Sequence, residues 1–202
     1  MKYIFTTMIA ILLSTPTFAA DIGGKVGIAS DNIFRGVNMS DGFGYSAQGN
    51  LSLDNGIFAG AKVMSMNETS DLMTTAMVGY GFNLGGVDIN VAYVDRGYQG
   101  IDIDGWEEIG VAANFDLFGV YYAKGLDDAG DFYLVDSSAL KVVDVAYGDW
   151  DNAGSYWEIS KSLDLAGGKV KVGFIDHDNN DEDLLDKIQD VDNFYVGYSK
   201  SF

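Results

Sequence analysis

Short segments in which apolar and polar side chains alternate are the feature that most constrains how this chain can fold. The clearest segment runs from residue 45 to residue 53, where Tyr45, Leu51 and Leu53 have one parity and Gln48 and Asn50 have the other. Because successive side chains of a β-strand point to opposite faces, this pattern predicts a strand with one apolar and one polar face. Twelve such segments can be drawn along the chain, or ten if residues 132–142 form a bend instead of a hairpin.

The connections between these segments also follow an order. Tight turns, such as Asp54-Asn55-Gly56 and Gly85-Gly86, alternate with longer polar loops. Asn-Gly and Gly-Gly pairs favour two-residue hairpin turns. An even number of strands joined in this way brings both termini and all the short turns to one side, as in outer-membrane barrels. We therefore predict an all-β protein that forms a transmembrane antiparallel up-and-down β-barrel of 12 strands, with 10 as the alternative. A secreted soluble β-sandwich is the less favoured interpretation.

The last segment has the features of a strand that closes such a barrel. Phe194, Val196, Tyr198 and Phe202 share one parity, and small or polar residues separate them. Apolar and aromatic residues on the outer face of a closing strand are what an outer-membrane barrel needs. The segment resembles the terminal assembly signal of Gram-negative outer-membrane proteins, except that Lys200 stands where an aromatic or aliphatic residue is usual. We expect the barrel-assembly machinery to bind it.

The first 19 residues have the pattern of a secretory signal peptide. Lys2 provides a positive start, the run Ile4–Leu13 is mostly apolar, and Ala19 ends the sequence Thr17-Phe18-Ala19. This arrangement predicts cleavage after Ala19, and the apolar run is too short to span a membrane as a helix. We therefore predict a signal peptide over residues 1–19 and a barrel over residues 20–202, located in the outer membrane of a Gram-negative bacterium.

Composition excludes several classes of partner and site. The chain has 30 acidic and 12 basic residues and a net charge of −18 at pH 7, which excludes nucleic acid as an electrostatically attracted partner. The absence of cysteine excludes disulfides and thiolate metal sites. Pro16, the only proline, precedes the predicted strands, in which proline is disfavoured. The sequence indicates no cofactor.

Neither a catalytic group nor a metal site is predicted. His177 is the only histidine, and it lies between Asp176 and Asp178 in an acidic segment, where we expect it to be solvated. A calcium-loop pattern also begins at Asp176. It fails because Asp181 replaces the glycine of the turn and Lys187 replaces the bidentate glutamate. We predict that the protein is not an enzyme.

Charged residues on the polar faces of the strands are the candidates for the barrel interior. A charge on the lipid-facing side costs about 2–4 kcal/mol at the middle of the bilayer, so these side chains are expected to point inward. The predicted pore-lumen residues are Lys62, Asp88, Glu108, Asp144, Glu158 and Lys171. Because this set contains both acidic and basic side chains, the charges either pair with one another across a closed interior or line a water-filled channel.

Four further residues are assigned to the loops and the mouth. Arg35 is one of two arginines; it either pairs with Asp31 at the base of the first loop or constricts the mouth. Asp102 and Asp104 belong to a second acidic cluster, for which simple solvation is the favoured interpretation. In an alternative hypothesis, divalent cations bridge the acidic loops to anionic lipopolysaccharide.

An ordered set of motifs resembles the TorF family of porins. The set begins with the segment from Ser30 to Asp41, which contains Phe34-Arg35-Gly36, and continues with Gln48-Gly49 and with Gly56-Ile57-Phe58-Ala59-Gly60. Only residues 30–60 are specific, although the resemblance covers most of the chain after residue 19. Asn32 and Lys62 depart from the family, which usually has an aromatic residue and a tryptophan there. The resemblance implies an outer-membrane pore without defining its solute.

Together these observations predict an outer-membrane channel for passive diffusion of small hydrophilic solutes. Acidic loops concentrate cations at a mouth, so a mild cation preference is expected. The alternative function is a closed structural or interaction barrel whose acidic loops bind lipopolysaccharide or a surface partner. Outer-membrane lipid, lipopolysaccharide, the barrel-assembly machinery and small solutes are the expected partners, and the oligomeric state is left open.

Overall fold

The structure, a computed structural model, describes residues 20–40, 42–66, 71–100, 104–126, 129–137, 142–151, 153–178 and 193–202. These ranges form β1 (Ala20–Ala29), β2 (Ile33–Phe34), β3 (Val37–Asn38), β4 (Gly44–Leu53), β5 (Ile57–Met66), β6 (Asp71–Leu84), β7 (Val87–Gln99), β8 (Trp106–Asn114), β9 (Gly119–Gly125), β10 (Phe132–Ser137), β11 (Asp144–Trp150), β12 (Gly154–Leu165), β13 (Gly168–Asp178) and β14 (Asn193–Ser201). No helix in these ranges is long and apolar enough to cross a membrane.

Twelve of the strands close into one antiparallel barrel, and β2 and β3 pair separately. Each barrel strand pairs with its neighbours in sequence order, and β1 pairs with both β4 and β14 to close the sheet. The predicted 12-strand up-and-down barrel is therefore confirmed. The ten-strand alternative is wrong because β10 pairs with β11, with Phe132 opposite Trp150. A closed sheet also excludes the β-sandwich.

The short connections use backbone conformations that favour glycine. Gly85 and Gly86, between β6 and β7, have φ angles of 62° and 93°. Two successive positive φ angles are typical of the type I′ turn, whose twist matches that of the flanking strands. These turns lie at the same end of the barrel as Ala20 and Phe202, and we call it the turn end. The opposite end is called the loop end.

The outer face of the barrel is apolar. The exposed residues on it include Val26, Ile28, Tyr80, Phe82, Val91, Ile109, Val111, Tyr147, Trp157, Ile159, Val172 and Val196. Aromatic pairs flank this band at both ends: the rings of Phe115 and Phe118 stack at 4.7 Å at the turn end, and those of Phe174 and Phe194 lie 4.9 Å apart towards the loop end. An apolar band between aromatic girdles is the surface that a transmembrane barrel presents to lipid.

Phe202 and Gly24 join the first and last barrel strands at the turn end. The backbone N–H of each residue donates to the carbonyl oxygen of the other at 3.0 Å. A Cβ on Gly24 would lie 2.5 Å from a carbon of the Phe202 ring, so the ring occupies space that only glycine leaves open. Phe194, Val196 and Phe202 are exposed on the outer face, and Tyr198 is half-buried there. Their role as an assembly signal stays a prediction.

Inward-facing aromatic rings lie against inward-facing glycines of neighbouring strands. A Cβ on such a glycine would collide with the ring next to it. The ring–glycine pairs are Phe58 with Gly79, Tyr121 with Gly110, Tyr156 with Gly148, and Tyr195 with Gly173. Glycine at these positions therefore lets each ring lie close to the backbone of the neighbouring strand.

Candidate functional site

The connection between β1 and β4 folds into the barrel instead of extending from it. Residues 32–40, here called the inner hairpin, contain β2 and β3, and the N–H of Met39 donates to the carbonyl of Asn32 at 2.8 Å. Val37 is only 1% exposed. The sequence predicted that this connection is a polar loop, and that prediction is wrong. Four apolar residues of the segment pack against apolar side chains inside the barrel, which draws the connection inward.

The inner hairpin packs against opposite walls of the barrel. On one side Val37 and Met39 join a buried cluster with the methionines of β5 and β6, namely Met64, Met66 and Met73. On the other side Ile33 packs against a second cluster, formed by Ala123, Phe132, Tyr156 and Ile175 of β9, β10, β12 and β13. Contacts with strands around the circumference place the hairpin inside the lumen, towards the loop end.

The tip of the inner hairpin requires glycine. Arg35 and Gly36 have φ angles of 50° and 87°. A Cβ on Gly36 would lie 2.5 Å from the ring of Tyr156 and 2.8 Å from Cδ2 of His177. His177 is 5% exposed on β13. The expectation that it is solvated in a loop is therefore wrong, because β13 continues to Asp178 and buries the imidazole against the hairpin.

Arg35 extends from this tip to a buried carboxylate on the barrel wall. Its Nη2 donates to Oε1 and Oε2 of Glu108 at 2.8 and 2.7 Å. Nη1 of Arg96 lies 2.7 Å from the same Oε1, and the Tyr121 hydroxyl donates to it at 3.0 Å. Glu108 is 1% exposed. Two guanidinium groups thus share one carboxylate, which leaves this buried group of three charges with a net positive charge.

Arg35 does not pair with Asp31, so that alternative from the sequence is wrong. The Asp31 carboxylate instead accepts from Ser30 Oγ at 2.7 Å and from Asn38 Nδ2 at 3.0 Å. The tight turn of the hairpin points the Arg35 side chain inward, away from the loop base where Asp31 lies.

Aromatic rings surround the two guanidinium groups. Cζ of Arg35 lies 4.1 Å from the ring centroid of Phe132 and 5.4 Å from that of Phe34. The Phe34 ring lies 6.3 Å from that of Trp106 and 6.4 Å from that of Trp150. Ring faces stabilise cations when water is excluded, so the rings and Glu108 together hold the hairpin tip in place.

Asn32 anchors the base of the inner hairpin. Its Nδ2 donates to the carbonyl oxygen of Ser65 at 2.8 Å and to the Ser65 hydroxyl at 3.0 Å. Its backbone N–H donates to Ser40 Oγ at 2.8 Å. The asparagine that departs from the TorF pattern is therefore a buried hydrogen-bonding residue in this chain.

A second ion pair lies on the wall formed by β12, β13 and β14. Nζ of Lys171 is 2.5 Å from Oε1 of Glu158, and the Tyr195 hydroxyl donates to the same oxygen at 2.6 Å. Lys171 thus neutralises the charge of Glu158, and Arg35 and Arg96 neutralise the charge of Glu108. Both glutamates that the sequence assigned to the lumen are therefore paired.

The strand register places several cationic residues in one inward row. Lys25 lies opposite Gln48, Gln48 opposite Lys62, Lys62 opposite Thr75, and Thr75 opposite Arg96. We call these five residues the basic row. Within the described part of the chain, neither Lys25 nor Lys62 lies within 4.0 Å of a carboxylate oxygen. These two ammonium groups are therefore available to a solute.

Two chambers of the barrel interior lie next to the inner hairpin and the basic row. The charged chamber, of about 400 Å³, lies beside the inner hairpin, and its lining includes Lys25, Arg35, Lys62, Glu158, Lys171 and Tyr195. The apolar chamber, of about 510 Å³, lies towards the turn end, and its lining includes Phe58, Met77, Ala92, Val94, Ala112 and Tyr121.

The remaining predicted lumen residues lie towards the turn end. Asp88 is opposite Asn83 and Asn114, and Asp144 is opposite Ser160. Like Lys62, Glu108, Glu158 and Lys171, they occupy strand positions on the inward face. The structure thus brings the six predicted residues to one surface, although their role in a pore stays a prediction.

The predicted mouth residues are more dispersed. Asp104 is exposed just before β8, and Asp102 lies outside the described residues. Of the calcium-like pattern, Asp176 is on β13, where it accepts from the Trp157 indole, and residues 179–192 lie outside the described ranges. The proposed signal peptide also lies outside them.

The sequence contained one overlooked signal for the inner hairpin. Ile33, Phe34, Val37 and Met39 are apolar residues within a segment otherwise read as polar, and Arg35-Gly36 separates the two pairs. Two short apolar pairs about a glycine-containing turn are consistent with a small hairpin.

Comparisons with known proteins show the fold. No protein-family profile and no curated protein matches the chain. A solved KdgM porin superposes with a TM-score of 0.54 at 11% identity, covering 91% of this chain and 99% of that one. A second structure, described as KdgM porin in complex with disordered oligogalacturonate, gives a TM-score of 0.56 at 12% identity, with 91% and 99% covered. The chain therefore shares the fold of these porins. Its assignment to the TorF family stays a prediction.

Proposed function

We propose that the protein is an outer-membrane channel for the passive diffusion of small hydrophilic solutes. The observation that carries the proposal is a closed barrel with an apolar outer face and an interior chamber lined by ionised side chains. A barrel of 12 strands is intermediate between filled barrels of about eight strands and open porins of about 16. The similar structures are porins, and we propose that this chain likewise has no enzymatic activity.

The location follows from the same proposal. The signal over residues 1–19 would be cleaved on export, and the barrel-assembly machinery would insert residues 20–202 into the outer membrane of a Gram-negative bacterium. The apolar band would contact lipid, and the acidic loop end would face lipopolysaccharide.

The acidic loops at the mouth and the charges beside the inner hairpin have opposite effects on the ion selectivity, and Asp88 and Asp144 lie further along the lumen towards the turn end. The acidic loops favour cations at the mouth, which is the mild preference expected from the sequence. The inner hairpin fills part of the lumen and so narrows it. Beside the hairpin Lys25 and Lys62 are available, whereas Glu108 and Glu158 are neutralised. Charge at a narrow, poorly hydrated site acts more strongly than charge at an open mouth. We propose that the basic row prevails and that anions permeate better than cations.

The KdgM complex is consistent with this selectivity, since oligogalacturonate is a chain of carboxylated sugars. At 12% identity the ligand of that porin does not transfer to this chain. For this chain the complex supports only the proposal that anions permeate better than cations.

A closed barrel is the second candidate function. The inner hairpin fills part of the lumen at the loop end and is held by two apolar clusters and an ion pair. If the hairpin blocks passage completely, the acidic loops become the functional surface, binding lipopolysaccharide or a surface partner.

Planar-bilayer recording of refolded residues 20–202 under a salt gradient distinguishes the two functions. Discrete current steps with an anion-directed reversal potential would support the channel and its basic row. Lys62→Gln should then move the reversal potential towards zero, whereas Lys200→Gln, the same charge change on the outer face, should not. A cation-directed reversal would show that the acidic loops at the mouth dominate the selectivity. No steps from protein shown to be folded and inserted would refute the channel and favour the closed barrel.

A further inference from the structure

The apolar chamber is unusual for the interior of a hydrophilic channel. Met77 and Val94 lie opposite each other across β6 and β7, with Phe58 and Ala92 one inward position closer to the turn end. Inward positions of outer-membrane barrels are mostly polar because they face water. Apolar side chains that line an aqueous space gain free energy when a solute covers them, at roughly 25 cal/mol per Å². The chamber therefore favours a solute with an apolar part.

The chamber lies directly beside the basic row. Gly60, Met77 and Val94 each occupy the next inward position of their strands, towards the turn end, after Lys62, Thr75 and Arg96. Two residues along a strand span about 6.6–6.8 Å, which is close to the length of a small ring with its carboxylate. A single solute can therefore contact the apolar wall and a cation of the basic row together.

Lys62 is the cation best placed to bind such a solute. Arg96 is already paired with Glu108 at 2.7 Å, whereas Lys62 has no carboxylate within ion-pair distance among the described residues. Lys25 lies one residue beyond Gln48 in the same row and adds positive charge without occupying the apolar wall. The polar side chains that line the chamber, those of Asn50, Ser52, Asn90 and Tyr121, are uncharged and add no second ionic site.

From this arrangement we propose that the lumen selectively binds amphipathic monoanions, meaning small carboxylates that carry one aromatic or alicyclic ring. The carboxylate contacts the Lys62 ammonium, and the ring packs on Met77, Val94 and Phe58. The chamber of about 510 Å³ is within the usual range for small-molecule sites and accommodates a single ring with its substituents. This inference rests on the proposed channel function and names the class of solute that the channel favours.

Block of the chloride current by added solutes tests the inference. Three probes separate charge from apolar character: phenylacetate has both, phenylacetamide keeps the ring without the charge, and gluconate keeps the charge without an apolar ring. Phenylacetate should block at concentrations about 10-fold lower than either of the others, because a charge-assisted contact and a buried ring each contribute on the order of a tenfold change in affinity.

Two variants locate the two halves of the site. Lys62→Gln should weaken phenylacetate block about 10-fold and leave phenylacetamide block unchanged. Met77→Gln, which keeps the length of the side chain, should weaken block by both ring-containing probes and leave gluconate block unchanged. Lys200→Gln, on the outer face, should match the wild type with all three probes.

The outcomes separate this inference from the channel itself. A wild-type channel that conducts but is blocked equally by phenylacetate and gluconate would overturn the inference and leave the channel function intact. Absence of current from inserted protein would overturn the channel function. If Met77→Gln does not change block by either ring-containing probe, the apolar chamber is not the binding site.

Discussion

Glu108 is the residue whose replacement tests most directly how the inner hairpin is held. It is 1% exposed and is contacted at 2.7–2.8 Å by Arg35 and Arg96. Glu108→Gln keeps the size of the side chain but removes its charge. Two guanidinium groups would then lie close together in a buried site without a carboxylate.

The free-energy cost of Glu108→Gln should fall mainly on the docking of the inner hairpin against the barrel wall. Removing one partner of a buried ion pair costs about 3–5 kcal/mol. Burial of Val37 and Met39 supplies a term of similar size, at about 1.5–3 kcal/mol for each side chain. Arg96 is fixed on β7, whereas Arg35 can leave with the hairpin. At the lower bound of about 3 kcal/mol, the docking equilibrium should fall on the order of 100-fold.

Single-channel recording should detect the released hairpin as a larger conductance or as excursions to a larger open state. Iodide quenching provides a second measurement, because Trp106 and Trp150 pack against Phe34 of the hairpin while Trp157 lies on the outer face. Quenching should increase when the hairpin leaves. Heat-modifiable mobility in SDS gels should show that the barrel itself remains folded.

Two further variants control for other effects. Glu158→Gln removes a lumen carboxylate that pairs with Lys171 on the barrel wall, so it should alter selectivity without increasing the conductance as Glu108→Gln does. The double variant Arg35→Gln with Glu108→Gln removes the unpaired charge of the hairpin and should recover part of the docking. Unchanged conductance and quenching in folded Glu108→Gln protein would refute the view that this ion pair holds the hairpin.

Two other substitutions test neighbouring parts of the structure. Gly36→Ala should release the hairpin and raise the conductance as Glu108→Gln does, because the residue has a φ of 87° and its Cβ would lie 2.5 Å from the Tyr156 ring. The control is Gly42→Ala, at a φ of 91°, where no described residue apart from the chain neighbours comes within 4 Å of the added Cβ. Its conductance should stay normal. Phe202→Ala should lower the fraction of folded, heat-modifiable barrel in cells, because it removes the ring that covers Gly24. Phe82→Ala, elsewhere on the outer face, should not lower that fraction. Equal folded fractions for the two variants would exclude a special role for Phe202.

The sequence by itself determined the barrel class and the alternation of the strand faces, and it narrowed the number of barrel strands to 12 or 10. Alternation in segments such as residues 45–53 is a local property, and it becomes decisive because lipid and water impose opposite requirements on the two faces. Turn signals such as Gly85-Gly86 then set the connections. The short β10 was ambiguous because Phe132–Ser137 is poorly patterned, and only pairing with β9 and β11 established it as a strand.

Only the tertiary structure decided what lies inside the barrel. Arg35 and Glu108 are separated by 73 residues, and no local pattern relates them. Their contact depends on the inward fold of the first loop and on the position of β8 relative to it. The same holds for His177, which the sequence placed in a loop and the structure buries at the hairpin tip. Register around a closed sheet likewise aligns Lys25 with Lys62 and places the apolar chamber beside them, because barrel closure fixes which residues of distant strands share a level.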